Sequence, residues 1–318
     1  MSLGRVLVEE FQPEILKWLR ERVELVVVEP WVEPDRWELE VTRVDAVISR
    51  KGKITREQIE KSGGRLKIFA RTGVGVDPSR IDLDAAKEYK IWVTNMPGCN
   101  AVSVAELMFG QMIALVRHTH DANRAVKENR WGDYLRYSGM ELAEKTIGII
   151  GMGNIGTRVA IRARAFEMDF RVYDPYIPES HVTALGGKWS GFNELLLESD
   201  FVTLHCPLTA ETKRMIGEKE LASMKPSAYL INAARGGIVN EEALYRALKE
   251  KKIAGAALDV SEEEPPPKDH PLFQLDNVLW TPHLGAVTFE ASQRGEWGAA
   301  EEVIRVLEGK RPKNPVAL

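Results

Sequence analysis

The chain predicts an α/β protein built of two doubly wound parallel-sheet domains, one inserted in the other. Three observations carry this. Up to Asn100 short β-rich runs alternate with amphipathic helical ones; the alternation restarts after Lys145; and the last helical stretch has no strand of its own after "TPH". Strand alternating with helix implies βαβ units, because parallel neighbours need a crossover between them. A length of 318 residues exceeds one ordinary core and suffices for two.

In order, "RVLVEE", "LVVVE", "DAVISR", "LKIFAR" and "IWVTN" read as the strands of the first block. Between them "PEILKWLRERV", "TREQIEKSGG" and "DLDAAKEYK" read as amphipathic helices. Val102 to Arg117, "VSVAELMFGQMIALVR", is a longer helix, apolar on nearly every face and therefore buried. An aromatic-rich irregular segment with Trp131, Tyr134 and Tyr137 follows. The second block's strands are "KTIGII", "FRVYD", "FVTLHCPL", "AYLINAARG", "IAGAALDV" and "VLWTPH". The closing helix, "EASQRGEWGAAEEVIRVLEG", is expected to return to the first block. This gives one domain over 1–98 plus 286–318 and another over 99–285, with joints near Pro97 and Leu284 about which closure is expected.

Composition excludes several functions. With 44% hydrophobic and 28% charged residues and no apolar run long enough to span a bilayer, a soluble rather than a membrane protein is expected. The start, "MSLGRVLVEEF", is interrupted by charge too early for a targeting peptide. A net charge of −4, with basic residues scattered among acidic ones, gives no footprint for nucleic acid. Cys99 and Cys206 are too few for a disulfide framework, and neither they nor the six histidines show metal-ligand spacing. A cytoplasmic protein without a metal is expected.

The strongest local signal is Gly151-Met-Gly153-Asn154-Ile155-Gly156. It follows the strand "TIGII", opens a helical stretch, and is followed by "RVYD", whose Asp174 lies eighteen residues beyond Gly156. Strand, glycines, helix and acid in that order form the dinucleotide fingerprint in context. The first glycine allows the tight turn, the second lets the backbone reach a pyrophosphate, and the third allows close helix–strand packing. Helix N-terminal amides then meet the phosphates. Asp174 would accept from the adenosine ribose and repel a 2′-phosphate, which favours NAD over NADP.

Three ionisable residues sit beyond late strands: Arg235 after "YLIN", Glu264 after "ALDVSEE" and His283 after "VLWTP". Ligands of open α/β sheets bind beyond the carboxyl ends of strands, so the three can converge. Singly, each has a plain reading as a surface ion pair, a solvated loop acid or a loop histidine. Together they suit one reaction. A guanidinium forks onto a carboxylate, and an imidazole can protonate a carbonyl oxygen that receives hydride. A carboxylate beside the imidazole would orient it and keep it protonated. These are the parts needed to reduce a 2-keto acid.

Here the chain resembles the D-isomer-specific 2-hydroxyacid dehydrogenases. The resemblance runs through "RTGVGVD" (71–77), "VAEL" (104–107), "GMGNIG", "HCPLTAET" (205–212), "INAARGGIVN" (231–240), "ALDVSEEEP" (257–265) and "TPHLGA" (281–286), nearly the whole chain. It implies a Rossmann-like NAD domain inserted in a flavodoxin-like substrate domain. It also implies Arg235 on the substrate carboxylate and carbonyl, His283 as acid in reduction and base in oxidation, and Glu264, before Pro265, as its partner. Amides of Val74 and Gly75 would hold the carboxylate from the first domain. Asn154 and Ile155 would meet the pyrophosphate, Asp174 the ribose, Cys206 and Pro207 the adenine side, Ala233 and Asp259 the nicotinamide, with Ser103 also reaching the cofactor. The chemistry needs no thiolate, so Cys206 reads as a packing residue. A homodimer formed largely through 100–143 is implied.

Within the family the chain looks most like phosphoglycerate dehydrogenases and hydroxypyruvate or glyoxylate reductases, and a form without the C-terminal regulatory domain of many of the former is expected. A substrate phosphate would want a cation on the first-domain loop. Arg50, with Lys51 and Lys53 near it, could supply one, although phosphoglycerate dehydrogenases often carry the arginine where this chain has Ser49. Formate dehydrogenases, which have glutamine at the Glu264 position, fit poorly. The alternative is an NAD(H)-binding corepressor-like protein of the same fold, which would keep all three ionisable residues; the short tails here favour the enzyme.

Overall fold

The computed structural model describes residues 2–76 and 80–316. Asp77, the last residue of the "RTGVGVD" motif, lies outside them. The chain divides into two compact units, one of Met1–Asn100 with Val287–Leu318 and one of Ala101–Ala286.

The first unit holds five parallel strands: β1 (Arg5–Val8), β2 (Glu24–Val27), β3 (Ala46–Ser49), β4 (Ile68–Arg71) and β5 (Trp92–Thr94). Their order is β2-β1-β3-β4-β5, the flavodoxin-like arrangement, with its switch point between β1 and β3. Alternate side chains feed two cores, as the two-residue period of a strand requires. Ala46, Ile48, Ile68 and Ala70 share a core with Ala299, Ala300 and Val303 of the helix Phe289–Leu307, while Leu7, Val47 and Phe69 share another with Trp37, Ile59 and Ile81. The helix Phe289–Leu307 therefore covers one face of the first sheet over β3 and β4, beside the helix Pro13–Arg20. Glu9, Arg50 and the loop from Thr72 follow β1, β3 and β4, all at the carboxyl end of that sheet.

The second unit is a seven-stranded parallel sheet of β6 (Thr146–Ile150), β7 (Asp169–Tyr173), β8 (Lys188–Trp189), β9 (Phe201–Leu204), β10 (Tyr229–Asn232), β11 (Gly255–Leu258) and β12 (Val278–Trp280). The order β8-β7-β6-β9-β10-β11-β12 is the doubly wound order of dinucleotide-binding sheets with one strand added beyond the sixth. Ile147, Ile149, Phe201 and Ile231 face a core with Met108 and Met112 of the helix Ala101–Val116, and Val202, Leu204 and Leu230 face the opposite core.

Three elements depart from the sequence reading. β8 is a two-residue edge strand with no hydrophobic run to announce it. The segment read as irregular after Arg117 contains a helix, Thr119–Lys127, and a 3₁₀ helix, Trp131–Tyr137. Only Ala125 of the first is buried and none of the second, so neither carries the large buried apolar residues that announce a core helix. Among the described residues no helix is long and apolar enough to cross a membrane, and Cys99 and Cys206 are both free thiols.

Candidate active site

The glycine turn lies between β6 and the helix Asn154–Ala165. Gly151 has φ +91°, and a Cβ there would lie 2.9 Å from the Cys206 amide nitrogen. A Cβ on Gly156 would lie 2.2 Å from the Gly151 carbonyl oxygen. Both glycines are thus demanded by packing. Gly153 is different: a Cβ there meets nothing within 4 Å, and the helix it precedes has no side-chain cap. Exposed Gly153 and Asn154 therefore leave open space before a twelve-residue helix whose first amides lack intrahelical partners. That geometry fits a pyrophosphate.

Asp174, just after β7, secures this turn. Its Oδ2 accepts from the Met152 amide at 2.8 Å and its Oδ1 from the Tyr176 amide at 2.9 Å. A carboxylate has about four acceptor sites, so two remain for ribose hydroxyls. Cys206 is partly buried, and burial pushes its thiol up to about 11, which keeps it protonated and unreactive. Pro207 is exposed, and its carbonyl accepts from the Thr212 hydroxyl at 2.6 Å. Desolvation lowers the neighbouring His205 to about 3, so this ring is neutral.

The three ionisable residues follow β10, β11 and β12, adjacent strands in that order. Buried Asn232 shapes the first loop: its side-chain amide donates to the Arg235 carbonyl at 3.0 Å, and its Oδ1 accepts from the Ala234 amide at 3.1 Å. Ala233 and Ala234 are buried; Arg235 is exposed and has no ion-pair partner among the described residues, its guanidinium donating only to the Ala234 carbonyl at 2.6 Å. A Cβ on Gly236 would lie 1.7 Å from the Ser261 carbonyl oxygen. Only glycine lets the arginine loop lie against the loop that carries Glu264.

His283 has φ +55°, and its Nδ1 lies 2.8 Å from Oε2 of Glu264. Of three consecutive glutamates this is the one that meets the imidazole; Glu262 instead pairs with Arg214 at 3.2 Å. Both members of the His283–Glu264 pair remain about half exposed. They border a cavity of about 240 Å³ with Asp259, Trp280 and Thr281 on its wall.

Asp259 is almost fully buried, and its carboxylate organises the histidine loop. Oδ1 accepts from the Leu284 amide at 2.7 Å and the Thr281 hydroxyl at 2.6 Å, and Oδ2 from the Gly285 amide at 2.7 Å. Gln111 extends the chain of contacts, donating to the Thr281 hydroxyl oxygen at 2.8 Å. Ser103 is buried in the first turn of the same helix, whose Val104 would be 3.2 Å from a Cβ on Gly285. Sequence reasoning missed Asn232, Gln111 and Thr281. Gln111 is the one that left a trace, a polar residue in an otherwise apolar helix.

In the first unit, the loop after β4 turns its carbonyls inward. Those of Gly73, Val74 and Gly75 accept from the Met96 amide (3.0 Å), Asn95 Nδ2 (2.7 Å) and Arg71 Nε (3.2 Å). The amides of Val74 and Gly75 have no partner among the described residues, which suits an incoming anion. Arg50 faces two buried carboxylates of its own unit, Glu9 at 3.8 Å and Glu296 at 4.0 Å.

Residues 109–285 match the family described as D-isomer specific 2-hydroxyacid dehydrogenase, NAD binding domain. A hydroxypyruvate reductase of Thermotoga maritima is 42% identical over 297 residues, which is 92% of this chain and 95% of that protein. The chain belongs to the D-isomer specific 2-hydroxyacid dehydrogenase family. A D-3-phosphoglycerate dehydrogenase of Methanocaldococcus jannaschii is 47% identical over 274 residues, 86% of this chain and 51% of that protein. This family member thus spans about half the length of several curated relatives that it matches. Among solved structures, the NAD-complexed D-isomer specific 2-hydroxyacid dehydrogenase of Lactobacillus delbrueckii ssp. bulgaricus superposes with a TM-score of 0.82 at 26% identity, covering 98% of this chain and 100% of that one. The matching domain is described as NAD binding, the Lactobacillus structure holds NAD, and the glycine turn described above fits that cofactor.

Proposed function

We propose that this chain is an NAD-dependent dehydrogenase interconverting a D-2-hydroxy acid and its 2-keto acid. The observation that carries the reading is the His283–Glu264 pair at 2.8 Å, one strand away from an arginine with no carboxylate of its own. Bound NADH would supply the hydride, and NAD⁺ would accept it in the reverse direction. Arg235 would take the substrate carboxylate and polarise the carbonyl oxygen. His283 has Nδ1 committed to Glu264, which leaves Nε2 as the nitrogen that hands a proton to that oxygen. After the transfer the proton on Nδ1 still satisfies Glu264, so the ring keeps its orientation through the cycle. Amides of Val74 and Gly75 would hold the same carboxylate, and Asn154, Ile155, Asp174, Cys206, Pro207, Ala233, Asp259 and Ser103 would frame the cofactor.

A homodimer is part of this reading. Trp131, Tyr134 and Leu135 are 75%, 67% and 70% exposed, an apolar patch that a second copy would cover. A cytoplasmic setting agrees with the two free thiols. No observation favours the corepressor-like alternative.

The test is turnover with purified protein and NADH on glyoxylate, pyruvate, hydroxypyruvate and phosphohydroxypyruvate. At least one is reduced, and His283→Ala lowers kcat by about 10²–10⁴-fold while NADH binding is retained. Inactivity toward every 2-keto acid, or an unchanged kcat in the variant, would remove the assignment.

A further inference from the structure

We infer that Glu9 is a specificity determinant that bars a phosphorylated substrate, so that the acid handled by this chain carries no phosphate. The inference rests on the dehydrogenase reading above and narrows its substrate class.

β1 ends at Val8 and β3 at Ser49, on the two sides of the switch point of the first sheet, where open α/β sheets receive ligands. Beyond Ser49 the amides of Arg50, Lys51 and Gly52 converge on one point together with the Ser49 hydroxyl. Successive amides arranged in this way form an oxyanion cradle, the feature a phosphate would use. Here the cradle is filled from inside the protein. Glu9 Oε1 accepts from Ser49 Oγ at 2.7 Å, Arg50 N at 2.9 Å, Lys51 N at 2.7 Å and Gly52 N at 2.8 Å. Glu9 is 0% exposed, so its carboxylate is tethered, dry and already satisfied at that oxygen. The loop has no room to retreat on one side, since a Cβ on Gly52 would lie 2.1 Å from the Trp37 ring.

Two of the nearby cations, Arg50 and Lys51, already face other groups of the chain. The Arg50 guanidinium faces Glu9 Oε2 at 3.8 Å and Glu296 Oε1 at 4.0 Å, and the Lys51 ammonium lies 5.3 Å from the centroid of the Trp31 ring. Buried Glu296 adds a second carboxyl to the same spot.

This loop neighbours the expected substrate. β3 pairs with β4 through Ser49 and Arg71, and the Thr72 amide donates to the Ser49 carbonyl at 3.1 Å. An acid whose carboxylate rests on the amides of Val74 and Gly75 therefore has residues 50–52 as the adjoining loop. A phosphate dianion there finds the amides of Arg50, Lys51 and Gly52 already taken, with two buried carboxylates behind them. Repulsion between like charges several ångströms apart in a partly buried setting amounts to at least roughly a tenfold loss. A hydroxymethyl group or a hydrogen meets no such penalty. The first unit thus departs from what the name of the Methanocaldococcus relative would suggest.

The experiment compares kcat/KM for hydroxypyruvate and phosphohydroxypyruvate in wild type, Glu9→Gln and Glu296→Gln. Wild type prefers hydroxypyruvate by at least about tenfold. Removing either charge raises kcat/KM for the phosphorylated acid by about tenfold and changes that for hydroxypyruvate by less than about threefold. A wild-type preference for phosphohydroxypyruvate overturns the inference, as does a pair of folded variants that leave the ratio unchanged. Inactivity on every 2-keto acid would instead sink the dehydrogenase reading. Calorimetric titration with D-glycerate and D-3-phosphoglycerate then decides the inference alone: tighter binding of the phosphorylated acid overturns it, and tighter binding of D-glycerate supports it.

Discussion

Asp259 accepts the amide of Leu284 at 2.7 Å, and Leu284 is the residue that follows His283. The imidazole is therefore held twice, at its ring by Glu264 and at its backbone by a buried carboxylate on the neighbouring strand end. A left-handed φ on a non-glycine residue costs free energy that the surroundings must offset, and the three hydrogen bonds into Asp259 do so.

Asp259→Asn puts a donating amide where two backbone donors and a hydroxyl converge. At least one contact is lost and the histidine loop shifts. A displacement near 1 Å costs on the order of a hundredfold in kcat, with the fold retained. Steady-state kinetics beside circular dichroism checks this; full activity would show that the loop keeps its shape unaided. Gln111→Leu removes only the outermost link, and its kcat falls less than that of Asp259→Asn.

Gly236→Ala places a methyl 1.7 Å from the Ser261 carbonyl oxygen. The arginine loop must separate from the loop bearing Glu264. Stability falls by about 1–3 kcal/mol, and turnover falls with it. A urea melt with an unchanged midpoint would mean that the two loops are not in fact pressed together.

Asp174→Ala releases the Met152 amide and removes the charge at the end of β7. The KM for NADH rises, and the ratio of NADPH to NADH efficiency increases by roughly tenfold as repulsion of a 2′-phosphate is lost. A cofactor ratio equal to that of wild type would take Asp174 out of the ribose role and leave it a turn anchor.

His205 carries a pH dependence of stability. Burial lowers its folded value from 6.5 to about 3, while the unfolded ring titrates normally. Between those values the unfolded chain binds the extra proton, so stability falls as pH drops below about 6.5 and rises as pH is raised through the window. Near pH 5 the loss is about 2 kcal/mol. His205→Asn should flatten the decline of melting temperature between pH 6.5 and 4, and an identical decline would assign it to other groups.

Much of this was legible because local rules and the fold agree. The run "TIGIIGMGNIG" writes strand, turn and helix in one line, and the packing at Gly151 and Gly156 shows why no other residue would serve. Arg235 stood out because a lone cation in an apolar run needs a reason. Glu264 could not be told from Glu262 and Glu263 by spacing alone; the meeting with His283 depends on how two loops of adjacent strands approach. Glu9 was invisible for a related reason. It contacts a loop some forty residues away, and an acidic residue after a strand reads as solvated until the amides that surround it are seen. Gln111 meets Asp259 through Thr281, far along the chain from the helix.

The helix Phe289–Leu307 covers one face of a sheet whose strands all precede Gly98. On the ribosome the Ala101–Ala286 unit can therefore finish its own core while the earlier unit still waits for Ala299, Ala300 and Val303. Birth order and folding order are reversed. The half synthesised first is completed last, and a nascent chain halted before Phe289 would display a folded nucleotide domain beside an open sheet with Ile48, Ile68 and Ala70 laid bare.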